Sequence, residues 1–412
     1  MRKLTAILLT IVIAVSLCAC GTVEKDDREK KKNGATKELT EGMASGSSQS
    51  RTPDEAFQKA YAAFSLGLMK ECRKNGYSFV SPYSAYAALS MVVNGADGQT
   101  LSEMLTLLGL PEDGLNAYML ALADRYNEGG EVSVANSVWV NLPYQEDVKD
   151  SFLEAVVNYY RASVFAADFT NTNTIGEMNK WVEKKTKDRI HELISQLDPM
   201  GTMTLINCLT FDGIWSDPFK EDNTEEADFH KEDGTVKKVQ MMNGEAERYF
   251  SGTNYTGIEK YYENGYLFRA YLPNEGTTAG ELLNSLSAEQ FVKPGTFDGK
   301  AYLSMPKFKF ESDAMDLIPV LSALGMTSAF STKADFSRMM KTSSVLISEV
   351  IQKTYIEVDE EGTKAAAATE IGMKCYAVAP QPVEHIVSLD RPFVYAIVDE
   401  LTGAPLFIGI YE

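Results

Sequence analysis

The chain is short of the residues that most often carry enzyme chemistry. Only three histidines occur in 412 residues, His191, His230 and His385, none with another histidine or a cysteine at ligand spacing. Little material is left for a metal site or a histidine-based catalytic set. No Gly-x-Ser-x-Gly elbow is present, so a hydrolase nucleophile of that kind is not expected. Basic residues are outnumbered, 39 Lys and Arg against 58 Asp and Glu, for a net charge of −19. Binding nucleic acid needs the opposite surplus, so nucleic acid is excluded as a partner. The apolar run from about Leu4 to Leu17 is too short to cross a bilayer, which takes ~20 residues. With 44% hydrophobic residues, the chain can build one large core or two smaller ones.

Arg2 and Lys3 precede that apolar run, which gives residues 1–20 the form of an export signal. Its end, Leu17-Cys18-Ala19-Cys20, resembles the lipobox of bacterial lipoproteins, whose final cysteine is diacylated and becomes the new N-terminus. The resemblance implies a lipid on Cys20 and a place on the outer face of the cytoplasmic membrane or the cell surface, with release to the outside as a variant. The competing reading is an ordinary secretory signal that contains cysteines. Residues 21–51 are charged, then rich in Gly and Ser, and read as a flexible polar tether. The domain is expected over 52–412. Thr52-Pro53-Asp54-Glu55 offers a capping box with proline at the first helical position, and Phe57, Tyr61, Phe64 and Leu68 share one face.

Farther on, Ser81-Pro82-Tyr83-Ser84 opens a helical run through Val93 that Gly95 can stop in the left-handed conformation. Thr100 and Glu103 are expected to cap a helix ending at Gly109. Val132 to Val140 reads as a strand apolar on both faces. Helices are expected near 150–160 and 174–194, and a strand over 204–211. Strands then dominate: 236–242, 258–262 and 265–272, the last two joined by the hairpin signal Glu263-Asn264-Gly265. Residues 301–310 alternate, with Pro306 marking an edge or bulge; 346–358, 393–398 and 406–411 complete the set. Helices first and strands later, without regular βα alternation, point to α+β with antiparallel or mixed sheets.

One stretch contradicts its surroundings. The strand ending Ile356, Glu357, Val358 runs into Asp359-Glu360-Glu361-Gly362-Thr363-Lys364-Ala365-Ala366-Ala367-Ala368-Thr369-Glu370, where nothing beyond Gly362 buries much apolar surface. Four alanines favour a helix, but one this short is marginal in water. As a strand, the tract puts Thr363, Ala365, Ala367 and Thr369 on one face and Lys364, Ala366, Ala368 and Glu370 on the other.

Several segments in order now resemble the serpin family over nearly everything past residue 50. They are Ser81-Pro82-Tyr83-Ser84 with Ala88-Leu89-Ser90-Met91, Asn207 to Trp215-Ser216-Asp217-Pro218-Phe219, Phe229-His230 with Met241-Met242, Leu272-Pro273, Met305-Pro306-Lys307-Phe308, Glu360-Glu361-Gly362-Thr363, and Asp390-Arg391-Pro392-Phe393. The resemblance implies an α+β fold of three β-sheets and eight or nine helices, with an exposed reactive-centre loop over about 360–390. It also implies a suicide mechanism: a serine protease attacks the loop, and the acyl-enzyme is trapped as the cleaved loop enters the main sheet. The chain is then an inhibitor and not an enzyme. It works as a monomer without cofactor or metal, with a covalently held protease as its partner.

Counting from Gly362 as the family does places the reactive bond at Tyr376-Ala377. Gly362 to Tyr376 spans roughly 46 Å as a strand. A new central strand makes about a dozen ladder bonds at ~1 kcal/mol each, comparable with the stability of a whole domain, so the uninserted loop is metastable. By resemblance, Ser81, Ser84 and Asn207 form the shutter under the main sheet, Trp215 stands at the breach where the loop enters, and Lys307 pairs with Glu360. Plain core or surface packing is the alternative for each. Gln352 stands where many serpins have a shutter histidine and cannot titrate. Lys364 replaces a common acidic residue on the outward face.

Tyr376 favours a chymotrypsin-like or subtilisin-like target. Lys374-Cys375 offers a trypsin-type bond and Val378-Ala379 an elastase-type one, so a shifted register changes the target. Cys375, beside the cut, is either an oxidisable thiol or an inert one, while Cys72 and Cys208 are expected as buried free thiols. A non-inhibitory serpin acting as a binding or chaperone module is the alternative function; the small-residue hinge speaks against it.

Overall fold

In a computed structural model of the chain, residues 36–46, 48–342, 345–363 and 383–412 are described. The first half runs β1 (Thr36–Glu38), α1 (Glu55–Lys74), β2 (Phe79–Val80), α2 (Pro82–Val93), α3 (Gly98–Leu108), α4 (Glu112–Gly129), β3 (Val132–Asn141), α5 (Asp150–Tyr160), β4 (Ser163–Ala167), α6 (Thr172–Lys185), β5 (Met203–Phe211) and β6 (Gly213–Ile214). The second half is β7 (Thr224–His230), β8 (Val236–Ala246), β9 (Arg248–Ser251), β10 (Tyr255–Tyr261), β11 (Tyr266–Pro273), α7 (Ala279–Ser285), α8 (Ala288–Val292), β12 (Thr296–Phe297), β13 (Lys300–Pro306), β14 (Phe308–Glu311), β15 (Met315–Asp316) and α9 (Ile318–Ala323). It closes with β16 (Glu349–Val358), β17 (Gly362–Thr363), β18 (Val383–Ser388), β19 (Phe393–Asp399) and β20 (Ala404–Tyr411). Three sheets and nine α-helices therefore stand among the described residues.

The main sheet is ordered β1-β4-β3-β5-β16, with β17 and β6 beyond β16 at one end and β14 and β15 also paired to β16. A second sheet is β12-β9-β10-β11-β19-β20-β2, and a third β18-β13-β8-β7. Strand β3 is apolar on both faces because each face meets a different core. Val138 and Val140 join the large core, while Ala135 and Trp139 join a second cluster with Phe165, Met178 and Val182 beneath α6. Helix α2 is buried at every position, as a helix without a polar face must be. It packs between β20 and the main sheet.

Several boundaries differ from the sequence reading, each for a local reason. The capping residue of α1 is Asp54, whose carboxylate accepts from Phe57 N; Thr52 lies outside the helix. Gly95 does not stop α2 with a left-handed turn: the helix ends through Asn94 in the right-handed region. Gly95 is needed for close approach, since a Cβ there would lie 2.5 Å from Met339 Cβ. Asp97, not Thr100, caps α3, though Gly109 does close it with φ 74°. Glu103 reaches across to Thr327 and Ser328, whose N–H groups it accepts at 2.8 Å each. Helix α6 stops at Lys185, because Lys187 and Asp188 turn the chain with positive φ. Asn264 and Gly265 both take positive φ, the hairpin turn expected of that pair. Pro306 marks neither edge nor bulge: it ends β13 in the third sheet, and Lys307 carries the chain into β14 of the main one.

The residues read as a tether are in part structural. Thr36–Glu38 pairs with β4 at the edge of the main sheet, Gly46 N donates to Asn158 Oδ1, and Arg51 N to Ala117 O. Alternation too short to register as a strand in the sequence is sufficient here, because an exposed edge supplies the ladder.

Candidate functional site

The candidate site is the seam between β5–β6 and β16. Over its lower part the seam is closed: β16 runs parallel to β5, with Glu349 opposite Thr204 through Thr354 opposite Leu209. At its upper end β5 turns away, and β17 fills the space, antiparallel to both β16 and β6. Gly362 and Thr363 therefore already occupy the position of an inserted strand.

Sequence chemistry explains how the chain makes that turn. Asp359 Oδ1 accepts from Glu361 N and Gly362 N, and Asp359 N donates to Gly362 O. Any Cβ at residue 362 would lie 2.0 Å from Gly213 O, so only glycine fits. Three consecutive hinge carbonyls are then held by one segment. Trp215 Nε1 donates to Asp359 O at 2.9 Å, Phe219 N to Glu360 O at 2.9 Å, and Trp215 N to Glu361 O at 2.8 Å. Trp215 therefore stands against the hinge, where the resemblance places the breach. It stacks on Tyr262 with centroids 4.0 Å apart, and Tyr262 Oη meets Thr363 Oγ1 at 2.6 Å. Thr363 is only 1% exposed, which places its side chain on the inner face.

Lys260 holds this assembly from behind. It is buried, its ammonium donates to Asp217 O and Glu245 O at 2.7 and 2.8 Å, and it lies over the rings of Phe219 and Trp215. Desolvation lowers its pKa from the ordinary lysine value. On the outer side, Lys307 Nζ lies 2.7 Å from Glu360 Oε2, and Thr224 Oγ1 donates to Oε1. Partial burial works against the Glu360 charge, but the Lys307 hydrogen bond and its companions outweigh it and hold the carboxyl below its usual value.

Midway down the seam lie the residues that the resemblance assigns to the shutter. Asn136, Asn207 and Gln352 stand side by side on β3, β5 and β16. Asn207 Nδ2 donates to Ser84 O and to Asn136 Oδ1; Gln352 Oε1 accepts from Ser81 N, and its Nε2 donates to Ser81 O. Ser81 Oγ caps α2 by accepting from Ser84 N and donates to Leu406 O. Ser81, Ser84, Asn207 and Gln352 are all at 0% exposure, so these amides join β16 and its neighbours to the helix below. Gln352 supplies a donor and an acceptor at once.

The sequence reading did not single out Asn136, Tyr262, Thr224 or Lys260. Asn136 had a signal, a lone amide in an apolar strand; Lys260 and Tyr262 had none, because a Lys-Tyr-Tyr run looks like surface. Cys72 and Cys208 are buried free thiols, and burial pushes both up to about 12. Lys364, Ala365, Ala366, Ala367, Ala368, Thr369, the Tyr376-Ala377 bond and Cys20 lie outside the described residues.

Comparison with known proteins agrees with this geometry. The Serpin (serine protease inhibitor) family matches residues 59–412. An uncharacterized serpin-like protein of Thermococcus kodakarensis is 32% identical over 85% of this chain and 84% of its own length. Among solved structures, the thermophilic serpin tengpin in its native state superposes with a TM-score of 0.82 at 33% identity, covering 91% of this chain and 98% of tengpin. Human thyroxine-binding globulin, complexed with thyroxine, gives 0.76 at 27% identity, covering 86% of this chain and 97% of its own. The chain belongs to the serpin family. The three sheets and the α+β architecture are those of a serpin, a family of protease inhibitors and not of proteases.

Proposed function

We propose that this serpin is a suicide inhibitor of serine proteases that traps the acyl-enzyme by inserting its cleaved loop between β5 and β16. The observation that carries this reading is the seating of Gly362 and Thr363. Two residues already form an antiparallel start to the missing strand, and the small side chains that follow in sequence meet no steric objection to continuing it. Tyr376-Ala377 is the proposed reactive bond, which favours chymotrypsin-like or subtilisin-like targets. Use of Lys374-Cys375 or Val378-Ala379 would redirect it to trypsin-like or elastase-like ones. We also propose export, with residues 1–20 as signal and a lipid on Cys20 anchoring a monomer to the outer face of the bacterial cytoplasmic membrane or to the cell surface. Incubation with chymotrypsin should give an SDS-resistant covalent complex, and mass spectrometry of the released fragment should begin at Ala377. Cleavage without any complex would sink the inhibitory reading and leave a binding or chaperone module.

A further inference from the structure

The strand registers fix where the chain enters the main sheet relative to where a trapped protease ends. Thr363 stands opposite Val358 in an antiparallel ladder, so each loop residue entered moves the pairing one residue back along β16 and brings Tyr376 opposite Val345. The parallel register of β16 and β5, Glu349 with Thr204, puts that level at the Met200 turn. Thr204 stands beside Trp139, Trp139 beside Phe165, and Phe165 beside Glu38. Strand β1 runs toward the hinge end, so the chain comes into the sheet at Thr36, within two residues of the Tyr376 level. The inserted strand would lie four strands from β1, about 19 Å at ~4.8 Å per strand. The hinge lies at the opposite pole, thirteen residues or about 43 Å away at ~3.3 Å each.

We infer that the pole at which the N-terminal segment enters the sheet is also the pole that receives the trapped protease. An anchored molecule therefore offers its loop away from the membrane and delivers the protease toward it. This rests on the inhibitory, lipid-anchored reading above. From Cys20 to Ala35 the chain has sixteen residues, and the fifteen steps between them reach at most ~50 Å at ~3.3 Å each. A serine protease of ~230 residues is roughly 45 Å across. The tether is thus barely long enough for the complex to form between the pole and the bilayer, and its length becomes a determinant of inhibition on a membrane.

The test uses the lipidated full chain in phosphatidylglycerol–phosphatidylcholine vesicles and its Cys20→Ser form free in solution, each with and without deletion of residues 25–32, against chymotrypsin. The deletion is expected to raise the stoichiometry of inhibition several-fold on vesicles and to leave it unchanged in solution. Energy transfer is measured in parallel from dyes at Met200→Cys or at Glu128→Cys, near the hinge end of β3, in a Cys375→Ser background, to labelled chymotrypsin. In the complex, transfer should be the stronger from Met200, which is 85% exposed. Equal inhibition on vesicles with either tether, stronger transfer from Glu128, or a Cys20 that carries no lipid would overturn the inference. Absence of covalent complex from the soluble full chain would instead remove the inhibitory reading beneath it.

Discussion

The breach and the shutter lie on one seam, yet they are built from opposite materials. At the breach the hinge is held by its backbone oxygens: three carbonyls accept from the 215–219 segment, and in the Lys307–Glu360 ion pair the lysine is 44% exposed. At the shutter the contacts are made by neutral side chains in full burial. A backbone clasp gives way one bond at a time and can be remade by the next residues of the same chain. Buried amides cannot be parted without leaving polar groups unpaired, each at ~1–3 kcal/mol. On the proposed inhibitory mechanism, the breach would start insertion and the shutter delay it.

The largest way to break this division is at the inner face of the hinge. Thr363→Arg must bury a guanidinium against Tyr262 and Trp215, where an unpaired charge is prohibitive. The expected result is more than a tenfold rise in the stoichiometry of inhibition, with the protein cut as an ordinary substrate. A variant that still forms complex with near-equal stoichiometry would show that Thr363 need not enter.

Next in size is the shutter. Asn207→Ala leaves Ser84 O and Asn136 Oδ1 without this donor, and the variant should lose ~2–4 kcal/mol of native stability. Spontaneous loss of inhibitory activity at 37 °C should accelerate, because the side-chain bond that crosses the seam, from Gln352 Nε2 to Asn207 Oδ1 at 3.4 Å, is also gone. Calorimetry and residual-activity time courses check both; a lowered melting temperature with an unchanged activity lifetime would detach the shutter from the delay.

Lys260 gives a smaller, more local effect. Lys260→Met keeps an unbranched chain against Trp215 and Phe219 but removes the donor to Asp217 O and Glu245 O. The 215–219 clasp should loosen, costing ~1–2 kcal/mol, with a red shift in Trp215 emission and little change in stoichiometry. An unshifted spectrum would mean that the clasp stands without its buried cation.

How much of this was legible beforehand follows the same contrast. The shutter residues Ser81, Ser84, Asn207 and Gln352 were named only through the serpin resemblance; burial then gives the Ser81, Asn207 and Gln352 side chains partners, while Ser84 contributes its backbone groups. The breach was legible only in part. Trp215, whose indole N–H holds Asp359 O, and Glu360 stood out, but the rest of the clasp works through backbone N–H and C=O groups, which every residue carries and no pattern distinguishes. Strand β1 was missed for a related reason, since an edge strand of three polar residues buries almost nothing of its own. Helix α4 went unread because its apolar positions meet both α2 and β3 and show no clean single face.

Acid supplies the finest way to separate the two regions. The folded-state pKa of Glu360 lies below its ordinary value of 4.5, so its contribution is fully present above that pH and is lost as pH falls through the lowered value. Lys307 is 44% exposed, so solvent screening limits the pair to less than ~1 kcal/mol. Gln352 has no proton to gain, so the shutter offers no matching change. The breach should therefore loosen below about pH 4.5, seen as a small rise in protease cleavage of the hinge or in Trp215 emission. Glu360→Gln should show that loosened state at pH 7 and flatten its acid dependence. A pH profile unchanged by that substitution would place the acid response elsewhere in the chain and leave the clasp standing on the Trp215 indole and the backbone bonds without the ion pair.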